Sequence, residues 1–301
     1  MPNAEVNGTT ICYEEHGSGE PMLLIMGLAT QMIAWPPEMV SALVDRGYRV
    51  IPFDNRDIGL SGKTHGPAPV LRDVLRGAAS PRLARPDYHL ADMADDTAAL
   101  IAHLDLPKAH IVGVSMGGMI AQEVAIRHPE QVATLASIMS NTGSRLQGKP
   151  AASFMNEFRK SFLTPRPSSR EQAVDFALNA WRQISGPHFD ETEMRHMIEL
   201  SVERDADPIG RVRQILAILA APDRTAQLRQ LDVPTVVIHG LLDRLVSPSG
   251  GIATARAIPG SRLLMFPDMA HDLPRPRIGE IVDAIVTNAQ RAPIGAARRA
   301  S

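Results

Sequence analysis

The residues of this chain whose types and spacing best suit chemistry are Gly113-Val114-Ser115-Met116-Gly117. An apolar run over residues 109–114 leads into Ser115, and a pattern of helical spacing follows it to Arg127. A serine between two glycines, at the apex of a strand, a sharp turn and a helix, is an arrangement that lifts a hydroxyl clear of its own chain. Ser115 must take a strained backbone conformation to be presented in this way. Gly113 and Gly117 suit the turn because larger side chains on either side of the serine would collide across it. The helix that follows points its amino end at the hydroxyl, where amide dipoles favour negative charge. The chemistry expected is acyl transfer on a serine nucleophile.

A serine hydroxyl is a weak nucleophile until a base takes its proton and a third group orients that base. Ten histidines are available. His271 stands in FPDMAHDLP, a few residues after the apolar run SRLLMFP, on a loop at the carboxyl end of an expected strand. Open parallel sheets build their sites at that end. His239, at the end of TVVIHG, is the rival and is read as packing or bonding locally. His103, His110 and His128 lie on or beside helix and strand patterns and are read as structural or exposed. His188 and His196 are read as solvent-facing. The expected acid is Asp243, in the loop LLDRLVSP three residues past Gly240. The other loop at which such a site could place an acid reads Ser140-Asn141-Thr142-Gly143-Ser144 and offers no carboxylate. Asp268 and Asp272 flank His271 too closely to meet its far ring nitrogen. For the oxyanion of acyl transfer, two backbone donors are expected: the N–H of Met116, next to the nucleophile, and that of Leu28, in the loop Gly27-Leu28-Ala29.

These groups need a frame to hold them. The runs at residues 21–27, 48–54, 109–115 and 132–139 are largely apolar without polar alternation, which fits strands of a parallel sheet buried on both faces. Residues 92–104 have helical spacing, with Pro107 as a stop signal, and Asn7-Gly8 marks a hairpin. From about residue 153 to residue 221 no strand pattern is found, only four helix-like stretches, with Ser169 and Asp190 placed as amino-terminal caps. TVVIHG and SRLLMFP then resume the strand pattern. The expected organisation is a core of residues 1–142 and 228–301, interrupted by a helical cap at residues 143–227. In the cap, Phe154, Met155, Phe158, Phe162, Phe176 and Trp181 either roof an apolar pocket or form the cap's own core. The tail, RAPIGAARRAS, is expected to fray.

The bulk properties exclude other classes. The 301 residues carry 31 Lys and Arg against 33 Asp and Glu, a formal charge of -2, so nothing invites nucleic acid or an anionic membrane. The expected partner is a small, largely neutral or apolar ester; a homo-oligomer is compatible with the sequence. The single Cys12 allows no internal disulfide, and MPNAEVNGTT has neither the basic nor the apolar region of a secretory signal. No apolar run approaches the roughly 18 residues of a membrane span. A cytoplasmic protein is expected. No cysteine–histidine cluster suggests a metal, and neither a P-loop nor G-x-G-x-x-G marks a nucleotide, so no cofactor is expected.

With these motifs in place, the chain resembles the α/β-hydrolase superfamily from about residue 5 to residue 288. It is most similar to the bacterial esterases typified by aclacinomycin methylesterase. The stretches that carry the likeness are LLIMGLATQMIAWP, FDNRDIGLSG, VGVSMGGMIAQ, WRQISG, VPTVVIHGLLDRLVSP and FPDMAHDLP. The resemblance implies an α/β-hydrolase fold: a mostly parallel, doubly wound sheet with a helical cap inserted after the sixth strand. It implies the triad order Ser115, Asp243, His271 and an esterase activity, while Met26-Gly27 stands where many relatives have His-Gly. Arg56 and Asp57 match a family turn and are read as stabilising it. Rival readings are perhydrolysis or haloperoxidation, lactone opening or C–C hydrolysis on the same triad, and a ligand receptor on the same fold. Dehalogenases and epoxide hydrolases of this fold need an aspartate where Ser115 stands.

Overall fold

The computed structural model describes residues 1–152 and 169–294. Asn7 and Gly8 both have positive φ, 47° and 73°, and join β1 (Asn3–Val6) to β2 (Thr9–Cys12) in an antiparallel hairpin. Two left-handed central residues match the right-handed twist of the strands they connect, which is why Asn-Gly is favoured there. The hairpin forms a sheet of its own, and antiparallel bridges Tyr13 to Phe53 and His16 to Val50 lay the chain after it along the edge of the main sheet.

That main sheet has six strands: β3 (Glu20–Ile25), β4 (Tyr48–Phe53), β5 (Ala109–Val114), β6 (Val132–Ile138), β7 (Thr235–Gly240) and β8 (Arg262–Phe266). Their order is β4-β3-β5-β6-β7-β8, and every pairing is parallel. Successive residues of a strand point to opposite faces, so a strand covered on both sides must be apolar throughout. In β3, Leu23 and Ile25 join the core on one face while Met22 and Leu24 join the core on the other. Helices α3 (Leu90–His103) and α4 (Met116–Arg127) cover the first face. Helices α1 (Pro37–Asp45) and α10 (Ile278–Ala289) cover the second. The sheet is thus doubly wound.

Between β6 and β7 the described chain has four helices and no strand: α5 (Arg170–Ile184), α6 (Glu191–Arg204), α7 (Ile209–Ala220) and α8 (Thr225–Leu228). These helices follow the sixth strand, where an insertion was expected. The first of the four expected helix-like stretches, with Phe154, Met155, Phe158 and Phe162, lies outside the described residues, as does most of the tail. Ser169 and Asp190 do cap α5 and α6, their side chains accepting from Gln172 N and Glu193 N. Val174, Leu178 and Ile198 form a small separate core, and Trp181 packs against it. Phe176 lies under the Arg211 guanidinium, 5.6 Å away. Two further helices lie outside this stretch, α2 (Leu71–Ala79) and α9 (Ser249–Ala257). No helix among the described residues is long and apolar enough to cross a membrane.

Candidate active site

The carboxyl ends of β3, β5, β7 and β8 converge on one point. Between β5 and α4 the chain reverses at Ser115, whose φ of 57° and ψ of −119° lie in a region that residues with a Cβ rarely occupy. The surroundings hold it there. A Cβ on Gly113 would run into the backbone of Gly117, and one on Gly117 into the Ile25 carbonyl of the neighbouring strand. The Ser115 N–H donates to Ile138 O at 2.8 Å, which ties the turn to β6.

The loop after β8 brings His271 to this turn, and the loop after β7 brings Asp243. Ser115 O–H donates to His271 Nε2 at 2.8 Å, and His271 Nδ1–H donates to Asp243 Oδ2 at 2.7 Å. A carboxylate only accepts, so Nδ1 carries the ring proton and Nε2 is left free to accept. His271 is 5% exposed and Asp243 4%, so the pair is shielded from water. Asp243 Oδ1 accepts from Leu245 N at 2.9 Å and Val246 N at 2.8 Å. Burial disfavours its charge, but attraction to the His271 side chain and hydrogen bonding from His239 and His271 outweigh this and hold the carboxyl down to about 2. Asp243 is therefore ionised at neutral pH.

The remaining candidates sort by contact. His239 is fully buried; its Nε2–H donates to Val246 O at 2.8 Å and lies 3.4 Å from Asp243 Oδ2, so it braces the acid loop and does not reach the serine. Asn141 accepts from Gly143 N through its side chain and from Arg224 Nη2 through its carbonyl at 3.0 Å. Asp268 pairs with Arg277 and with His188. Asp272 accepts from Ala270 N at 3.1 Å and Gly186 N at 3.0 Å. Arg56 grips Asp96 of α3 through Nε at 2.6 Å and stacks over Tyr88, a structural tie. His110 lies between Thr134 and Glu20, and His128 binds Asp95.

Gly27 lies against Ser115: a Cβ there would stand 3.2 Å from Ser115 Cβ. Leu28 follows directly, and Met116 is the first residue of α4. Neither amide donates to a protein acceptor among the described residues. Two further groups hold this loop, Asn55 from the FDNRDIGLSG stretch and Gln214, which no quoted motif contains. Asn55 Nδ2 donates to Met26 O at 3.0 Å, and Gln214, of α7, accepts from Ala29 N at 2.8 Å. The WRQISG segment has a contact of its own, because the His271 N–H donates to Ile184 O at 2.9 Å.

Known proteins place this geometry in context. A rhodomycin D methylesterase of Streptomyces peucetius is 25% identical over 295 residues, covering 91% of this chain and 93% of that one. A non-heme haloperoxidase of Rhodococcus erythropolis is 27% identical over 282 residues, covering 89% and 91%. The solved structure of a thermophilic esterase from Thermogutta terrifontis shares the fold, with a TM-score of 0.71 at 24% identity over 97% of this chain and 99% of that one. The family model for the alpha/beta hydrolase fold matches residues 20–274. On this match, which spans most of the chain and every strand of the main sheet, the protein belongs to the alpha/beta hydrolase fold family.

Proposed function

We propose that the chain hydrolyses carboxylic esters through an acyl-enzyme on Ser115. The observation that carries this reading is the unbroken hydrogen-bond chain from Ser115 Oγ through His271 to Asp243, at 2.8 Å and 2.7 Å. Ser115 Oγ attacks the ester carbonyl carbon while its proton passes to His271 Nε2. Asp243 holds the Nδ1–H and stabilises the imidazolium that forms. The carbonyl oxygen, now negative, is received by the N–H groups of Met116 and Leu28, at the amino end of α4. The tetrahedral intermediate collapses, the C–O bond to the alcohol breaks, and the imidazolium gives its proton to the leaving oxygen. Water then attacks the acyl-serine with His271 again as base. This frees the acid and restores the hydroxyl. The similarity to a methylesterase supports an ester as the substrate class.

A second reading is kept by the similarity to a non-heme haloperoxidase. On the same acyl-serine, hydrogen peroxide in place of water would release a peracid and the free serine. Turnover of a short-chain p-nitrophenyl ester, followed with and without peroxide, separates the two. Ester cleavage that peroxide leaves unchanged, with no peracid formed, is the expected result. Absence of cleavage by well-folded protein would sink the esterase reading.

A further inference from the structure

We infer that Gln214 is a positioning residue that fixes the oxyanion loop from the helical insertion. The inference rests on the serine-esterase reading above. Residues Gly27, Leu28, Ala29 and Thr30 form a turn closed by Thr30 N–H donating to Gly27 O at 3.3 Å. Ala29, its third residue, has φ of 56°, while Leu28 is not among the positive-φ residues. That is the type II pattern, which calls for glycine at the third position. An alanine there is strained, and flipping the Leu28–Ala29 peptide would convert the turn to type I, which needs no positive φ.

What opposes the flip is Gln214. Its Oε1 accepts the Ala29 N–H at 2.8 Å, and its Nε2 donates to Arg56 O at 3.1 Å, so the amide cannot turn over without losing both bonds. The side chain is completely buried. On the other side of the same peptide, Leu28 O accepts from Thr30 Oγ1 at 3.0 Å. The flanks are held separately: Met26 O by Asn55, Met32 N by Asp54 Oδ1, and Gln31 by Ser201 O and Arg204. The one strained unit in the loop is therefore the one Gln214 grips, and it is joined through a single Cα to the Leu28 amide, an oxyanion donor in the preceding reading. Two helices of the insertion, α6 and α7, thus reach the oxyanion loop, and α7 does so at its strained residue.

The test uses Gln214→Met, which keeps the volume and removes both hydrogen bonds, and Ala29→Gly, which accepts positive φ without strain. On a short p-nitrophenyl ester, Q214M is expected to lower kcat about ten- to hundredfold with KM little changed, less than the loss of a whole oxyanion donor. A29G alone is the reference for the double variant, so that the coupling between the two positions is read as a cycle. Added to Q214M, it is expected to recover most of the loss, which a general packing defect would not allow. If Q214M does not fold, Gln214→Asn, too short to reach Ala29, takes its place with the same expectations. A kcat near the parent's in either variant, or a loss that A29G does not recover, overturns the inference. If the parent itself cleaves no ester, the preceding reading falls, and the clamp is judged by hydrogen exchange across residues 27–31. Faster exchange in Q214M supports it, and unchanged exchange overturns it.

Discussion

Asp243→Asn is the substitution whose outcome the geometry fixes most tightly. The two carboxylate oxygens have unlike neighbours. Oδ1 accepts from Leu245 N and Val246 N at 2.9 Å and 2.8 Å, whereas Oδ2 accepts from His271. An asparagine has one acceptor and one donor end. Its oxygen will face the two backbone donors, because turning the amide over leaves both unmade, at about 1–3 kcal/mol each. The NH2 then faces His271 Nδ1, which must give up its proton and accept. The ring proton moves to Nε2 and points at Ser115 Oγ, so the base can no longer take the serine proton. Restoring the productive tautomer means turning the amide over, which costs about 2–6 kcal/mol, or about one and a half to four and a half decades of rate at about 1.36 kcal/mol per decade. The serine-protease precedent for this substitution is a loss of about ten-thousandfold. The expected fall in kcat is about a thousandfold or more, with KM and Tm little changed, measured on p-nitrophenyl acetate. A variant within tenfold of the parent would refute the assignment of Asp243 as the orienting acid.

Gly117→Ala places a methyl group against the Ile25 carbonyl, which is backbone and cannot rotate away; a Tm lower by about 5 °C or more, or failure to fold, is expected, and an unchanged Tm would contradict the account of the turn. Arg204→Met leaves the fully buried Asp54 with its Met32 and Leu60 amide bonds but no cation. A destabilisation of about 3 kcal/mol in urea unfolding is expected, with part of it recovered by adding Asp54→Asn. Burial pushes His110 below its ordinary 6.5, against the pull of Glu20. The unfolded chain therefore binds the proton first as pH falls, and the stability present above about 6.5 is lost below it. Unfolding free energies at pH 7.5 and pH 5.5 should differ less in His110→Gln than in the parent.

The sheet was legible because burial on both faces leaves short runs without polar alternation, bounded by turn residues. The runs 21–27, 109–115 and 132–139 are apolar without alternation, and the structure sorts their residues to opposite faces. The elbow was legible for a related reason: the contacts at Gly113 and Gly117 exclude any side chain, so the sequence must show glycine. The meeting of Ser115, Asp243 and His271 was expected from their places at strand ends, which sequence does record. The brace on each group was not. Gln214 lies on a helix with no motif, and nothing in RVRQILAILA tells this glutamine from a surface one. Its partner Ala29 was read only as part of a loop, since a positive φ at a residue other than glycine leaves no sequence mark. Asp272 was set aside as a poor partner for His271; the structure gives it instead to the Gly186 and Ala270 amides. WRQISG was noted as a subgroup likeness, and its contact is a backbone bond from His271 to Ile184 O that side-chain identity does not encode.

The central claim is that Ser115 is a nucleophile activated by His271. Its most direct measurement is covalent labelling by a fluorophosphonate, with the modified peptide located by mass spectrometry. Stoichiometric adduct on Ser115, abolished in Ser115→Ala and slowed by more than a hundredfold in His271→Ala, is the predicted result. Folded protein that resists the reagent, or that carries the label on another residue, would contradict it.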